Sequence, residues 1–117
     1  MSCPSFIAQS FAVRTAAHLA HLTSKSYAEH VALEEFYTGL IDLVDSFAEL
    51  YLAEPDSPST TFPSSAPPKG TPTGILTSYL ADVREEMGDK PNQAMANVLA
   101  EIEALTLRTL YKLKNLK

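Results

Sequence analysis

A proline-rich stretch divides this chain and limits what it can fold into. Six of its eight prolines fall within residues 55–72: Pro55, Pro58, Pro63, Pro67, Pro68 and Pro72. Proline fixes its own φ angle and has no backbone N–H, so this density excludes a helix and makes a poor strand. We therefore expect an extended connection over residues 55–72 between two halves of the chain.

The first half has the periodicity of two helices, over about residues 5–22 and 27–53. The first helix carries Ile7, Phe11, His18 and Leu22 at helical spacing. Ser26 and Glu29 fit a capping box at the start of the second helix, because each side chain can satisfy a free backbone N–H of the other. The second helix has the strongest apolar stripe, formed by Leu33, Phe36, Tyr37, Leu40, Ile41, Val44, Phe47, Ala48 and Tyr51. We expect its aromatic residues to pack in the core.

The second half predicts helices over about residues 74–87 and 91–114. Thr73 can cap the first of them, and Pro91 suits the first turn of the second. The last helix would turn Ala94, Val98, Ile102, Leu105 and Leu110 towards the core. With no strand pattern between them, these elements predict a single all-α domain over residues 1–117, a four-helix bundle of two helical hairpins joined by the proline-rich connection.

Composition narrows the function classes. The net charge of −5 argues against nucleic acid as the main partner, because phosphate binding needs a basic face. Cys3 is the one cysteine, so disulfide frameworks and zinc fingers are excluded and a reducing, cytoplasmic location is expected. We find no apolar run long enough to span a membrane and no pattern typical of a signal peptide.

Four polar residues share one flank of the apolar stripe on the second helix. At about 100° per residue from Leu33, His30 lies near 60°, Glu34 near 100°, Asp45 near 120° and Glu49 near 160°. Polar residues in such positions are often only the solvated border of a core. However, Asp45 and Glu49 stand one turn apart and could chelate one ion together.

A distance argument predicts that these residues meet only between two copies of the chain. His30 and Asp45 are fifteen residues apart, which is about 22 Å along one helix. Two copies of this helix, packed antiparallel about a two-fold axis near Thr38 and Ile41, would bring them together in two identical sites. We therefore expect a homodimer through helix 27–53.

The spacing His18-x₁₁-His30-x₁₄-Asp45-x₃-Glu49 resembles the ferroxidase motif of the Dps family, the miniature ferritins. The local run Asp45-Ser-Phe-Ala-Glu49 is similar to that family's D-x-x-A-E signature. The resemblance covers about residues 11–52, and the chain's length and its ending from Leu110 to Lys114 also resemble phage-encoded Dps-like proteins. It implies a ferritin-like bundle and an assembly of dimers that can extend to a twelve-subunit shell.

The resemblance also implies roles for individual residues. His18 and His30 of one subunit would bind metal together with Asp45 and Glu49 of its mate. Glu34 could hold a second ion, and His21, one turn from His18, is a weaker candidate ligand. The implied activity is oxidation of Fe(II) by peroxide or oxygen, with possible iron storage; Zn or Mn are competing metals.

The chain departs from the family pattern at several points. Leu19 stands where the family has a tryptophan, no glycine precedes Gly39, and the proline-rich segment replaces a small extra helix. The N-terminus has no basic tail, so DNA binding is not expected. Two other hypotheses stay open at this point. One is a non-catalytic structural or adaptor protein that docks through the proline-rich segment or the basic C-terminus, and the other is a regulator whose metal occupancy sets dimerisation.

Overall fold

The computed structural model describes residues 1–56 and 59–116, and Pro58 of the proline-rich stretch lies outside them. Throughout this part the chain forms helices and no strands. The helices are α1 (Cys3–Thr23), α2 (Tyr27–Ala53), α3 (Pro72–Gly88) and α4 (Gln93–Asn115). The predicted all-helical bundle is therefore confirmed. No helix of the described ranges has the length and apolar character needed to cross a membrane.

Each helix begins at a side chain that accepts a hydrogen bond from a free backbone N–H of the first turn. The four capping residues are Ser2, Ser26, Thr71 and Asn92. Such a cap contributes about 1 kcal/mol to helix stability. These caps explain why two helix starts were predicted wrongly. Helix α3 begins at Pro72, directly after the cap Thr71, and Pro91 lies before the cap Asn92 of α4.

The predicted capping box at Ser26 is only half formed. Ser26 Oγ accepts from the Glu29 N–H at 3.3 Å, as expected. The N–H of Ser26, however, donates to Ser24 Oγ at 3.3 Å. The serine of the preceding turn thus takes the bond that Glu29 was expected to accept, and the connection between α1 and α2 is tied down by its own side chains.

The helices pack in a ring in which α1 contacts α2 and α3, and α4 contacts the same two helices. Neighbours run antiparallel: Lys112 near the end of α4 pairs with Glu35 near the start of α2 at 2.5 Å. At the opposite end, Asn92 before α4 donates to the Glu54 carboxylate after α2. Since α2 and α3 lie diagonally across the ring and run the same way, the chain between them must travel the length of the bundle.

The proline-rich segment between α2 and α3, called the crossover here, covers this distance along α1. It leaves α2 where the Tyr51 hydroxyl donates to the Ser59 carbonyl at 3.1 Å. Halfway, Ser65 Oγ donates to Gln9 Oε1 of α1 at 2.8 Å. Residues 67–70 then line a groove with the end of α1 at Thr23. Over residues 59–69 the crossover is extended, as predicted, and it lies against α1. Pro72, which was predicted to belong to the connection, is instead the first residue of α3.

The core is centred on aromatic residues of three helices. Phe6 packs edge-to-face on Phe47, with ring centroids 5.6 Å apart, and stacks on Tyr79 at 6.0 Å. The buried Tyr79 hydroxyl donates to Ser10 Oγ at 2.7 Å, and Ser10 in turn donates to the Phe6 carbonyl at 2.8 Å. Each hydroxyl hydrogen in this series of hydrogen bonds has an acceptor, which allows the two hydroxyl groups to be buried without a large cost in free energy.

The buried face of α1 differs from the one predicted. Phe11 is 36% and Leu22 is 64% exposed, although both were expected in the core. The core is reached instead by Phe6, Val13 and Ala17. The stripe of α2 was predicted well: Leu33, Phe36, Leu40, Val44, Phe47 and Tyr51 are all buried. On α4 the fully buried positions are Met95, Leu99, Ile102, Thr106, Thr109 and Leu110. Of the residues predicted to face the core, Val98 and Leu105 are half-buried and pack against it, and Ala94 is exposed.

Candidate metal site

The three histidines gather where α1 turns into α2. His18 and His21 lie in the last turns of α1, and His30 lies in the first turns of α2. His21 is buried, with only 5% of its surface exposed, whereas His18 and His30 are half-buried. The short connection at residues 24–26 brings both helix ends together, so the sequence positions of the histidines suffice to cluster them.

His21 and His30 hold each other through reciprocal hydrogen bonds. Nδ1 of His21 donates to the His30 carbonyl at 2.6 Å, and Nδ1 of His30 donates to the His21 carbonyl at 2.8 Å. The two imidazole rings stack with centroids 3.7 Å apart and planes inclined by 20°. Because a carbonyl oxygen only accepts, Nδ1 carries the proton in both rings, and in the neutral ring Nε2 keeps its lone pair.

His18 is positioned by an aromatic residue of α2. Its ring stacks on Tyr37 with centroids 4.0 Å apart. The Arg14 guanidinium, one turn before His18, lies 5.7 Å from the centre of the Tyr37 ring. Arg14 Nε is buried and has no hydrogen-bond partner among the residues that the structure describes. Tyr37 is half-buried and packs against the core, as expected, and its ring also contacts this cluster.

Two of the three acidic candidates, Asp45 and Glu49, lie on a different part of the molecule, whereas Glu34 is one helical turn after His30. Glu34, Asp45 and Glu49 are all exposed on α2, and none of them forms a hydrogen bond or ion pair among the described contacts. Asp45 is four helical turns beyond His30, about 22 Å along the axis. Within the described residues of one copy, no three histidine, cysteine, aspartate or glutamate side chains come together in a way that could hold a metal ion.

A single copy therefore holds two separate groups of candidate ligands. One group is the imidazole cluster at the α1–α2 turn, and the other is the exposed pair Asp45 and Glu49 on the C-terminal half of α2. Neutral imidazole with carboxylate is a donor set that suits Fe(II), Zn and Mn. His30 has a feature common among metal-binding histidines, since its second ring nitrogen is fixed by a backbone carbonyl.

Sequence reasoning missed one further titratable group. Glu86, near the end of α3, is only 5% exposed, and its Oε1 has no hydrogen-bond partner in residues 1–56 and 59–116. Burial raises the pKa of this carboxyl to about 7, and the negative charge of Asp89 adds to the effect. The signal in the sequence was its position, three residues after Val83 on the apolar side of the helix.

Comparison with known proteins defines the class to which the chain belongs. A family of unknown function, DUF5856, matches residues 21–113, and the chain is a member of it. The matched region holds His21, His30, Asp45 and Glu49, and it begins after His18. No curated protein matches the chain. No solved structure matches it either.

Proposed function

We propose that this protein binds Fe(II) between two of its copies and oxidises it with peroxide or oxygen. His18 and His30 of one copy would bind the ion together with Asp45 and Glu49 of the other, and Glu34 would bind a second ion or steady the first. The iron is the substrate, and the oxidised iron could be stored within a larger assembly. The Dps-like spacing of the four residues led to this proposal.

One observation carries it: the two kinds of ligand are each available, but they lie too far apart to meet in one chain. The acids are exposed on α2, free to face another molecule, and the histidines are held at the other end of the same helix. Two α2 helices that pack antiparallel about a two-fold axis bring the histidines of each copy next to the acids of the other, so that both sites form together. The single long crossover between α2 and α3 adds support, because ferritin-like bundles have one such connection.

The chain's own residues would supply position and charge. Two histidine lone pairs and two carboxylates give a site of net charge −2, which attracts Fe(II) and favours Fe(III) more strongly. Two Fe(II) ions give one electron each to a peroxide, which takes two protons and leaves as two waters. Stacking of His18 on Tyr37 and the carbonyl bond to His30 keep the imidazoles oriented before the ion arrives.

A mixing experiment tests the shared site directly. The His18→Ala, His30→Ala protein retains only the acids, and the Asp45→Ala, Glu49→Ala protein retains only the histidines. Each alone should fail to accelerate formation of ferric absorbance from Fe(II) and peroxide. After joint refolding, random pairing gives half mixed dimers with one complete site each, so about a quarter of the wild-type rate should return.

The matched control is Asp42→Ala, which removes an exposed carboxylate from the α4 side of the same helix. It should oxidise iron at the wild-type rate. Wild-type protein that oxidises iron no faster than buffer would rule out the enzyme. Activity without complementation in the mixture would mean that the site lies within one copy.

The second candidate function is a non-catalytic adaptor. Its support is the crossover itself, which exposes Phe62, 41% accessible, beside an apolar cavity of about 660 Å³ lined by Phe11, Leu52 and Pro63. An adaptor would leave iron oxidation at the buffer rate in every variant above. It would keep the same assembly state with and without metal, whereas a metal-dependent regulator would change its assembly without turnover.

A further inference from the structure

His21 stands outside the four-residue ligand motif, yet it is the most buried histidine of the chain. Its ring lies between the end of α1 and the start of α2, where it stacks on His30 at 3.7 Å. A buried imidazole N–H needs an acceptor, and here the acceptor, at 2.6 Å, is the backbone carbonyl of the residue on which the ring stacks. The contact is specific to His30.

The reciprocal bond uses a carbonyl that the helix leaves free. His21 is in the last turn of α1, where carbonyl groups have no N–H four residues ahead within the helix. The Ser24 N–H reaches the His21 carbonyl only at 3.4 Å, while the His30 Nδ1–H reaches it at 2.8 Å. The His30 ring is thereby fixed in rotation and in tautomer, and its Nε2 is the nitrogen left to bind a ligand.

We propose that His21 is the positioning residue for His30: its ring and its carbonyl together hold the His30 imidazole with Nδ1 protonated and Nε2 available to the metal. This inference rests on the proposed function for its consequence, the affinity for metal. Its structural part does not depend on that function, because the tautomer of His30 is a property of the metal-free protein. Partners that orient a ligating histidine typically change metal affinity about 10- to 100-fold.

Two substitutions distinguish the contribution of the stacked His21 ring from that of its hydrogen bond to the His30 carbonyl. His21→Phe keeps a planar ring to stack on His30 but removes the donor to the His30 carbonyl. His21→Ala removes both. Leu22→Ala is the matched control, because the neighbouring Leu22 side chain in the same helical turn is 64% exposed. Circular dichroism and thermal unfolding confirm that each variant is folded before it is used.

The first measurement is the tautomer of His30 in metal-free protein, from ¹⁵N–¹H correlations of the imidazole nitrogens. Wild type and Leu22→Ala should show a single form protonated at Nδ1. The His21 carbonyl remains in both variants, but without the imidazole and its bond to the His30 carbonyl the two helix ends no longer hold it at 2.8 Å from His30 Nδ1. Both variants should therefore show a mixture with the Nε2-protonated form. The second measurement is affinity for Co(II), followed by its visible absorbance, which should fall about 10- to 100-fold in His21→Ala and less in His21→Phe.

The two measurements have distinct failures. Wild-type protein that binds no Co(II) or Fe(II) overturns the proposed function, and the tautomer result still decides the role of His21. A wild-type His30 protonated at Nε2 overturns the inference whatever the metal result. Unchanged tautomer and unchanged Co(II) affinity in both folded His21 variants would do the same while leaving the shared iron site in place.

Discussion

Glu86 illustrates how a single side chain can set the pH response of a small helical protein. Its carboxyl is buried near the end of α3, and one oxygen has no hydrogen-bond partner among the described residues. Burial, with the negative charges of Asp89 and Glu85, raises the pKa of Glu86 from 4.5 to about 7 against the opposing charge of the N-terminal amino group. The protonated form therefore fits the folded state better.

The sign of the effect follows from linkage. Since the folded pKa is above the unfolded one, Glu86 favours folding fully below about pH 4.5 and loses that contribution as pH rises to about 7. We expect Glu86→Gln to match wild type near pH 4 and to be more stable at pH 8, by about 1–3 kcal/mol. Urea unfolding at both pH values measures this difference. Glu101→Gln, an exposed control on α4, should differ from wild type by the same small amount at both pH values, and a Glu86→Gln protein that follows wild type at both pH values would contradict the prediction.

Residue-level reasoning found part of the candidate site. The separation of His30 from Asp45 followed from helix geometry alone, and both residues lie on α2 as expected. The reciprocal bonds of His21 and His30 could not be predicted, because they depend on how the turn at residues 24–26 sets two helix ends against each other. The burial of Glu86 was hidden for the same reason: it depends on which face of α3 meets α1.

At the scale of elements, α2 decides both the fold and the candidate chemistry. Its apolar stripe was predicted correctly because the apolar residues of this helix recur at helical spacing on one side. On α1 the prediction failed, since apolar residues occur on several sides, and Phe11 and Leu22 proved exposed. Two predicted helix starts are wrong by about two residues. The capping residues are Thr71 and Asn92, whereas the prediction relied on Thr73 as a cap and on Pro91 in the first turn.

The register of α2 can be tested by exchanging two neighbouring exposed residues. Asp45→Ser combined with Ser46→Asp keeps composition and charge but rotates the carboxylate by about 100° around the helix. We expect iron oxidation to be lost, while the free energy of unfolding changes by less than about 0.5 kcal/mol. Ferric absorbance and urea unfolding measure the two effects. Asp42→Ser serves as control, and an exchanged protein that stays fully active would show that Asp45 is not a ligand.

At the scale of the whole molecule, the proposed site requires a two-fold axis near Thr38 and Ile41 of α2. A residue that lies on a two-fold axis faces the same residue of the other copy. Thr38 is exposed, so a larger side chain there leaves the single copy undisturbed. The assembly can therefore be tested without touching any candidate ligand.

Thr38→Arg should weaken the dimer at least about tenfold, because two guanidinium groups would be forced together at the axis. Multi-angle light scattering over a dilution series measures the shift towards monomer, and the metal affinity should fall with it. Thr77→Arg, on exposed α3 diagonally across the bundle, should leave the dimer intact. If both variants associate like wild type, α2 does not form the interface.

The crossover along α1 also has a consequence for how the chain folds. The turn between α1 and α2 spans three residues, whereas eighteen separate α2 from α3. Closing the longer loop costs about 1.6 kcal/mol more in chain entropy, so each hairpin should form before the two dock. Five prolines among these eighteen residues lower that cost, since a stiff segment has less freedom to lose. The residues that keep this stretch out of any helix thus also speed the meeting of the two halves.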